Sequence, residues 1–486
     1  MAHLLPSANT SKDRLCGLTC LLMLDGLQNA VQKRPTTSII AISLLLRLST
    51  LAILVLANFL LPTWDAEVTT LAYPLPRLLE PFVRWDTVHF MHIALDGYTS
   101  DQQSAFLPGL PGLMRVGGEV VHRIQHGGRD VTAQDVVIAG VVASAIASTA
   151  AAVVFNRLTR RLFSTRPDFA ATATILFLLA PSRPTLHAVP YTEPFSALFT
   201  FLGMLLFSRQ RDLLASLAWA AGSTFRAQGV VLGVGFFGWQ YLLHNVWKDG
   251  PAFSRRHLRR LLVNAPTFLV LSAISAAPFL AFEAFIFRQF CLSKLTERPW
   301  CTRGIGMSYG WVQREYWNSG FLRYWRLLQL PNFLLAAPVL ALSFAASYSF
   351  YMANSETTWR GTVPFLPVPP RIRSRHRPKD SQTIAASAIF TQPTTPNDAR
   401  DLVPFVHLST FLTSLLFLAH HVQIILRVCV TNPVPFWYAA ELVLRDGDRE
   451  RVQSGRRRRW GRIWIRYCLI WGTASIVLWA VFLPPA

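Results

Sequence analysis

The chain has 486 residues, of which 52% are apolar and only 15% are charged. Soluble domains carry about 25% charged residues, and 15 Trp with 33 Phe are far too many for a disordered or fibrous chain. The composition therefore excludes a soluble single domain, a coiled coil and a disulfide-rich secreted module. It predicts an all-α polytopic membrane protein.

The net charge of +21 could indicate nucleic-acid binding. The basic residues lie between apolar runs, however, so contact with membrane lipids is the first interpretation and no nucleic-acid partner is expected. The six cysteines contain no Cys-x-x-Cys pair, which argues against a zinc site. Phosphate-binding glycine loops, the His-Glu-x-x-His pattern and a nucleophile elbow are absent from the sequence. We expect no metal and no cofactor.

Six apolar runs reach the roughly 20 residues that a helix needs to cross a bilayer. They are 39–61, 135–155, 261–287, 331–351, 402–426 and 463–483. Five shorter runs are predicted to be short or broken helices buried among the others: 169–181, 195–208, 213–225, 229–243 and 435–444. About nine to eleven transmembrane helices result.

Lys and Arg concentrate in four segments that the positive-inside rule places in the cytosol. These segments are 156–167, 247–260, 354–401 and 446–462. The loop 62–134 falls on the opposite side and has eight acids against five Arg. The segment 288–330 should share that side, yet it has seven basic residues and two acids. Either the rule is only statistical there, or this loop faces anionic phosphates.

The most conspicuous stretch in the acidic loop is Arg-Trp-Asp-Thr-Val-His-Phe-Met-His, residues 84–92. Asp86 follows Trp85, and His89 and His92 come three and six residues later. An acid in this loop is within reach of a membrane-embedded substrate, and ionisable residues near a membrane are functional candidates. On a helix, Asp86 and His89 share a face. Alternatively, Asp86 caps a loop helix and the histidines only pack.

Further segments follow in a specific order, and they are Tyr191-Thr192-Glu193, Arg226-Ala227-Gln228-Gly229, Pro299-Trp300-Cys301, the aromatic run 316–325, Pro331-Asn332-Phe333, His420-His421-Val422-Gln423 with Arg427, and Pro435-Phe436-Trp437-Tyr438. Together with the 84–92 stretch, they resemble the PIG-V family of glycosylphosphatidylinositol (GPI) mannosyltransferases over roughly residues 37–483. The chain departs from the family pattern at Ser104, Thr192 and Gln228.

The resemblance implies the C-type glycosyltransferase (GT-C) fold with lumenal loop helices, in the membrane of the endoplasmic reticulum. Residues 1–38 would then be a cytosolic segment and 39–486 the transferase domain. Within that domain, 62–134 would be the lumenal catalytic loop, 288–330 a second lumenal loop and 354–401 a flexible cytosolic loop.

The resemblance also implies the reaction. A second mannose passes from dolichyl phosphate mannose to the GPI precursor in α-1,6 linkage, by an inverting single displacement that needs no metal. The implied partners are this donor, the glycolipid acceptor, membrane lipids and a small membrane accessory subunit. Alternatives are another dolichyl-phosphate-sugar transferase of the same membrane and, in a different class, a lipid transporter or scramblase.

Asp86 is the candidate base for the acceptor hydroxyl, and Asp65 and Glu67 are its rivals. The predicted substrate-binding residues are Trp85, His89, His92, Glu193, Arg226, Gln423 and Arg427. Arg226 binds the donor phosphate or pairs with an internal acid, because an unpaired cation between apolar runs is costly. Glu193 is a third candidate base, although a contact with an acceptor hydroxyl or a helix cap is the favoured interpretation. Arg427, at the end of a span, binds substrate or extends to the interface.

Cys291 and Cys301 share one predicted lumenal loop and lie ten residues apart. Because the lumen is oxidising, we expect these two cysteines to form a disulfide.

Overall fold

The computed structural model describes residues 24–64, 73–127, 130–247, 254–292, 298–303, 308–369, 388–393, 396–452 and 459–483. Within these ranges every regular element is helical, which confirms the predicted all-α class. The rival acids Asp65 and Glu67 lie outside the described residues.

The helices of the described ranges are listed here in chain order. They are α1 (Pro35–Leu60), α2 (Asp86–Asp96), α3 (Gly109–His126), α4 (Ala133–Leu162), α5 (Pro167–Leu178), α6 (Glu193–Phe207), α7 (Asp212–Ser223), α8 (Gln228–Phe237), α9 (Arg255–Cys291), α10 (Ser308–Trp317), α11 (Leu330–Ala353), α12 (Ser355–Thr362), α13 (Pro396–Ala419), α14 (Ile425–Val428), α15 (Pro433–Val452) and α16 (Trp460–Ala480). A helical stretch over 24–33 precedes α1.

Helices α1, α4, α9, α11, α13 and α16 are each long and apolar enough to cross a membrane. They coincide with the six long apolar runs of the sequence. Their outer faces expose apolar side chains, for example Leu45 at 67% and Leu262 at 66%, and exposure of this kind along whole helices fits contact with lipid. The five shorter runs form α5, α6, α7, α8 and α15. The total of nine to eleven passes stays a prediction.

One predicted span is too long at its C-terminal end. The apolar run 402–426 suggests a continuous helix, but α13 ends at Ala419. The backbone N–H groups of Gly320 and Leu322 donate to the carbonyls of Ala419 and Leu418, at 2.8 and 2.7 Å. These bonds satisfy carbonyls that a helix end leaves without partners. The chain then turns and continues as the short helix α14.

The segment 354–401, which the sequence predicts to be a flexible loop, is helical at both ends of its described part. Helix α12 carries an Arg360–Glu356 ion pair of 2.8 Å at the i, i+4 spacing that supports a helix. The Thr362 hydroxyl lies 2.7 Å from Nε2 of His407 on α13. Helix α12 is therefore packed against the bundle rather than extended away from it.

Helix α3 of the acidic loop and helix α4, which follows that loop, form a close antiparallel pair. A Cβ atom on Gly117 would come within 2.9 Å of Ala139, and one on Gly118 within 2.9 Å of Val136. Thr132 and Asp135 form a capping box at the start of α4, which satisfies N–H groups that a helix start leaves free. This pair supports α2, which carries Asp86.

Two hydrophobic clusters make up the core, and the smaller one lies beneath Asp86. Trp479 of α16, at 1% exposure, belongs to it. Its indole N–H donates to the Pro81 carbonyl at 2.9 Å, and its ring meets Tyr191 edge-on with centroids 5.5 Å apart. The C-terminal helix thus fixes both segments that supply the site.

Cys291, the last residue of α9, is joined to Cys301 by a disulfide with the two Cα atoms 5.4 Å apart. We expect both thiols to resist alkylation of the denatured protein under non-reducing conditions. Cys429 and Cys468, which are free and buried, provide the internal control because denaturation exposes them to the reagent. Mass spectrometry showing alkylated Cys291 and Cys301 before reduction would contradict the disulfide.

Candidate active site

Asp86 is the first residue of α2, and an unusual turn places it there. Trp85 before it has φ +56° and ψ −130°, a conformation that a bulky residue rarely adopts and that costs about 1–3 kcal/mol. Two contacts hold this turn: Arg84, fully buried, donates to Asn58 of α1 at 3.0 Å, and the Trp85 ring packs on Phe482 at 5.4 Å. The Asp86 side chain keeps 35% exposure.

Two side chains from distant parts of the chain donate to the Asp86 carboxylate. The Tyr191 hydroxyl is 2.6 Å from Oδ2, and Nη1 of Arg427 is 3.1 Å from the same atom. Burial raises the pKa of Asp86, but the Arg427 cation and the Tyr191 hydrogen bond outweigh it, and the pKa lies below its usual value. Asp86 is therefore a carboxylate at neutral pH with one face open to a ligand.

A row of alternating charges continues from Asp86 into the protein. Arg427, which is 13% exposed, has Nε 4.0 Å from Oε1 of Glu193. The Glu193 side chain is fully buried and pairs with Nη1 of Arg226 at 2.8 Å. Arg226 remains 25% exposed and also donates to the Thr192 hydroxyl at 3.3 Å. Two cations thus flank one buried acid beside Asp86.

This row bears on the alternatives for three residues. Arg427 does not extend to the interface, because it contacts Asp86 and Tyr191. Arg226 pairs with an internal acid, namely Glu193. Glu193 starts α6 but is too deeply buried to touch an acceptor hydroxyl. We interpret it as the residue that positions both arginines.

The histidines lie on α2 as its helical spacing predicts. The His89 ring stacks on Phe106 with centroids 4.7 Å apart, and burial lowers its pKa, so the ring is held toward its neutral form. His92 meets the Tyr73 ring edge-on at 5.4 Å. Among the described residues, neither Nε2 of His92 nor the indole nitrogen of Trp85 has a hydrogen-bond partner. Within that part of the chain, both nitrogens are buried as well as unpaired.

The segment after Phe106 is held against the turn that carries Arg226. The Gly109 N–H donates to the Thr224 carbonyl at 2.8 Å. A Cβ atom on Gly109 would lie 2.8 Å from that oxygen, so only glycine allows the approach. Two of the three departures from the family pattern form hydrogen bonds within the structure. The Gln228 side chain accepts from the Thr431 hydroxyl at 2.9 Å, and the Thr192 hydroxyl accepts from Arg226 at 3.3 Å.

Gln423 lies apart from this constellation. Its Oε1 accepts from the Tyr324 hydroxyl at 3.0 Å, and it lines a separate cavity. Sequence reasoning assigned no role to Tyr191, although the segment that carries it was noted. In the described part of the chain, no group of three or more His, Cys, Asp or Glu side chains is arranged to hold a metal ion.

The family model for the PIG-V mannosyltransferases matches residues 36–486. The chain belongs to the PIG-V mannosyltransferase family. A GPI mannosyltransferase 2 of Cryptococcus neoformans var. neoformans serotype D is 33% identical over 463 residues, covering 93% of this chain and 99% of the relative. A GPI alpha-1,6-mannosyltransferase 2 of Cricetulus griseus is 30% identical over 446 residues, covering 82% of each.

Among solved structures, the chain is similar to the Archaeoglobus fulgidus oligosaccharyltransferase in its apo form. The TM-score is 0.39 at 11% identity, and the match covers 90% of this PIG-V family member and 56% of the other chain. The assignment to the family rests on the family model and on the sequence relatives.

Proposed function

We propose that the protein transfers the second mannose of the GPI precursor, in α-1,6 linkage, from dolichyl phosphate mannose to the one-mannose glycolipid. Membership of the PIG-V family and the names of the relatives support this reaction. The observation that carries the mechanism is the ionised, partly exposed Asp86 with Arg427 at 3.1 Å. It combines a base and a cation at one place, as transfer from a sugar phosphate requires.

The proposed step is one in-line displacement. The acceptor hydroxyl oxygen attacks the anomeric carbon of the β-linked mannose and gives its proton to Asp86. The bond between that carbon and the phosphate oxygen breaks, and dolichyl phosphate leaves with the electron pair. One displacement inverts β to α, so no covalent enzyme intermediate is required.

Arg427 has two tasks in this proposal. Before reaction it keeps Asp86 ionised, and during reaction it neutralises the charge that grows on the leaving phosphate. A low pKa alone would make Asp86 a weak base. We therefore infer that Arg427 turns from Asp86 toward the phosphate as the bond breaks, which strengthens the base when the proton arrives. Arg226 adds a second cation, and Trp85, His89 and His92 border the sugar.

The proposed location is the membrane of the endoplasmic reticulum, with the site in the lumen. We expect an N-glycosylation acceptor inserted near Asp130, in the 62–134 loop, to be glycosylated, and one inserted at 375 in the 354–401 segment to stay unmodified. The charge balance of the two segments is the reason. Endoglycosidase-sensitive gel shifts report the result, and the reverse pattern would place Asp86 on the wrong side of the membrane.

Cells that lack second-mannose transfer test the function as a whole. Expression of this chain should remove the accumulated one-mannose precursor and restore GPI-anchored proteins at the surface. Unchanged accumulation despite correct membrane insertion would contradict the proposal. Co-purification from the same cells tests the proposed accessory subunit.

A further inference from the structure

We propose that the cavity lined by Gln423 binds the phosphate-bearing polyol headgroup of the glycolipid acceptor, at a distance from the reacting carbon. The inference rests on the proposed function and extends it by assigning a specificity site. The cavity has a volume of about 300 Å³ and lies between the end of α10, the following loop and the end of α13. That volume is at the small end of the range for ligand pockets.

The cavity offers unpaired positive charge. Arg323 and Arg326 line it, both are exposed, and neither forms an ion pair with another described residue. No described carboxylate lines the cavity. A guanidinium presents its N–H groups as a fork that matches two oxygens of a phosphate. Two free guanidinium groups in one cavity therefore favour an anionic ligand.

The remaining walls suit a polyol. Trp317 and Tyr324 provide aromatic faces, with the His421 ring stacked on Tyr324 at 4.6 Å. Gln329 and Gln423 provide amide groups that can bond to hydroxyls. The Tyr324 hydroxyl donates to Gln423 and accepts from Asn332, at 3.0 and 2.8 Å. These bonds fix the ring and the amide before a ligand arrives, which lowers the ordering cost of binding.

The loop that carries the two arginines is held rigidly. The indole N–H of Trp325 donates to the Phe417 carbonyl at 2.8 Å, beside the backbone bonds from Gly320 and Leu322 to the end of α13. Asn318 and Leu322 have φ of +48° and +54°, conformations that non-glycine residues rarely adopt. Strained residues of this kind cluster at ligand sites.

The same loop presents apolar side chains outward, between its arginines. Phe321, Leu327 and Leu328 are 73%, 92% and 88% exposed. Exposed apolar side chains interleaved with Arg are typical of segments that lie in the membrane interface. The cavity would then open at the depth of lipid headgroups, where the phosphate of a glycolipid lies.

The position of the cavity favours the acceptor over the donor as the source of that phosphate. The donor phosphate is bonded to the reacting carbon and must lie beside Asp86. Neither Asp86 nor Arg427 lines the cavity. The Phe106 ring lies between the two sites, 5.7 Å from the Trp317 ring and 4.7 Å from the His89 ring. The acceptor phosphate, in contrast, is separated from the reacting hydroxyl by the glycan.

The test uses the full-length protein in detergent with dolichyl phosphate mannose and two synthetic acceptors. One is the one-mannose GPI precursor, and the other is the same glycan on an alkyl chain without the phosphate. The double substitution Arg323→Gln, Arg326→Gln should raise the KM for the phosphorylated acceptor at least about tenfold, since each charge-assisted hydrogen bond is worth that much. The kcat and the donor KM should stay within about twofold, because the reacting centre is untouched.

The matched control is Arg314→Gln, which removes an exposed charge from α10 outside the cavity and should leave both KM values unchanged. The phosphate-free acceptor should not distinguish wild type from the double variant. An increase in the donor KM alone would overturn the assignment in favour of the donor phosphate. Equal acceptor KM values with transfer intact would overturn the cavity as a binding site. Absence of transfer by the wild type would instead contradict the proposed function.

Discussion

Asp86→Asn should lower second-mannose transfer by about 10²–10⁴-fold, the usual contribution of a general base. The substitution keeps the size and hydrogen-bonding shape of the side chain, and Asn is also favourable where a helix starts. It removes the charge that accepts the proton. Kinetics of the purified variant, and accumulation of the one-mannose precursor in cells that carry only this variant, measure the effect.

Asp96→Asn is the matched control, because Asp96 ends the same helix and its carboxylate accepts only from Tyr73, at 2.6 Å, in the described structure. It should retain activity within about twofold, as expected of a surface substitution. Substitution of the rival acids, as Asp65→Asn and Glu67→Gln, should lower the rate of transfer less than Asp86→Asn does. Near-normal transfer by Asp86→Asn together with loss in Asp65→Asn would move the base to the segment just after α1.

Arg427→Gln should reduce the rate by about 10²–10³-fold, the effect of losing one group that stabilises transition-state charge. It should also shift the pH profile. Arg427 lowers the pKa of Asp86, so its removal raises that pKa. The carboxylate then becomes protonated at higher pH, and the acid limb of the kcat/KM profile moves upward in pH. A rate profile between pH 4 and 8 shows both effects.

The substitution Arg427→Lys distinguishes the effect of the positive charge at this position from the effect of the guanidinium geometry. Lys keeps the cation near Asp86, so the acid limb should stay close to that of the wild type. Lys lacks the planar fork, so the rate should still fall. Glu193 retains Arg226 as its partner in both variants, which protects the fold. An unchanged rate and an unchanged acid limb in Arg427→Gln would contradict both tasks assigned to this residue.

Much of the helical framework could be predicted from hydropathy. The six long runs are helices, because apolar runs of that length have few other structures in a membrane. The end of α13 at Ala419 could not be predicted, since Val422 to Leu426 continue the apolar pattern. It depends on backbone bonds from Gly320 and Leu322, about a hundred residues away in sequence.

The site, like the helical framework, was predictable only where local sequence spacing determines it. The spacing of Asp86 and His89 shows that they share a helical face. Nothing in the local sequence shows that Arg427 meets Asp86 across 341 positions, or that Glu193 joins Arg427 to Arg226. Tyr191 was missed because a tyrosine in an apolar region is usually a packing residue, and only the fold reveals its bond to Asp86.

Transfer by the purified protein tests the central claim most directly. Wild-type protein in detergent receives isotope-labelled dolichyl phosphate mannose and the synthetic one-mannose GPI precursor, and the product is analysed by mass spectrometry and NMR. We predict one added mannose, joined in α configuration to a 6-hydroxyl, with no product when the acceptor is omitted. A β linkage, attachment at another hydroxyl, or no labelled glycolipid from a folded wild-type protein that binds both substrates would contradict the account.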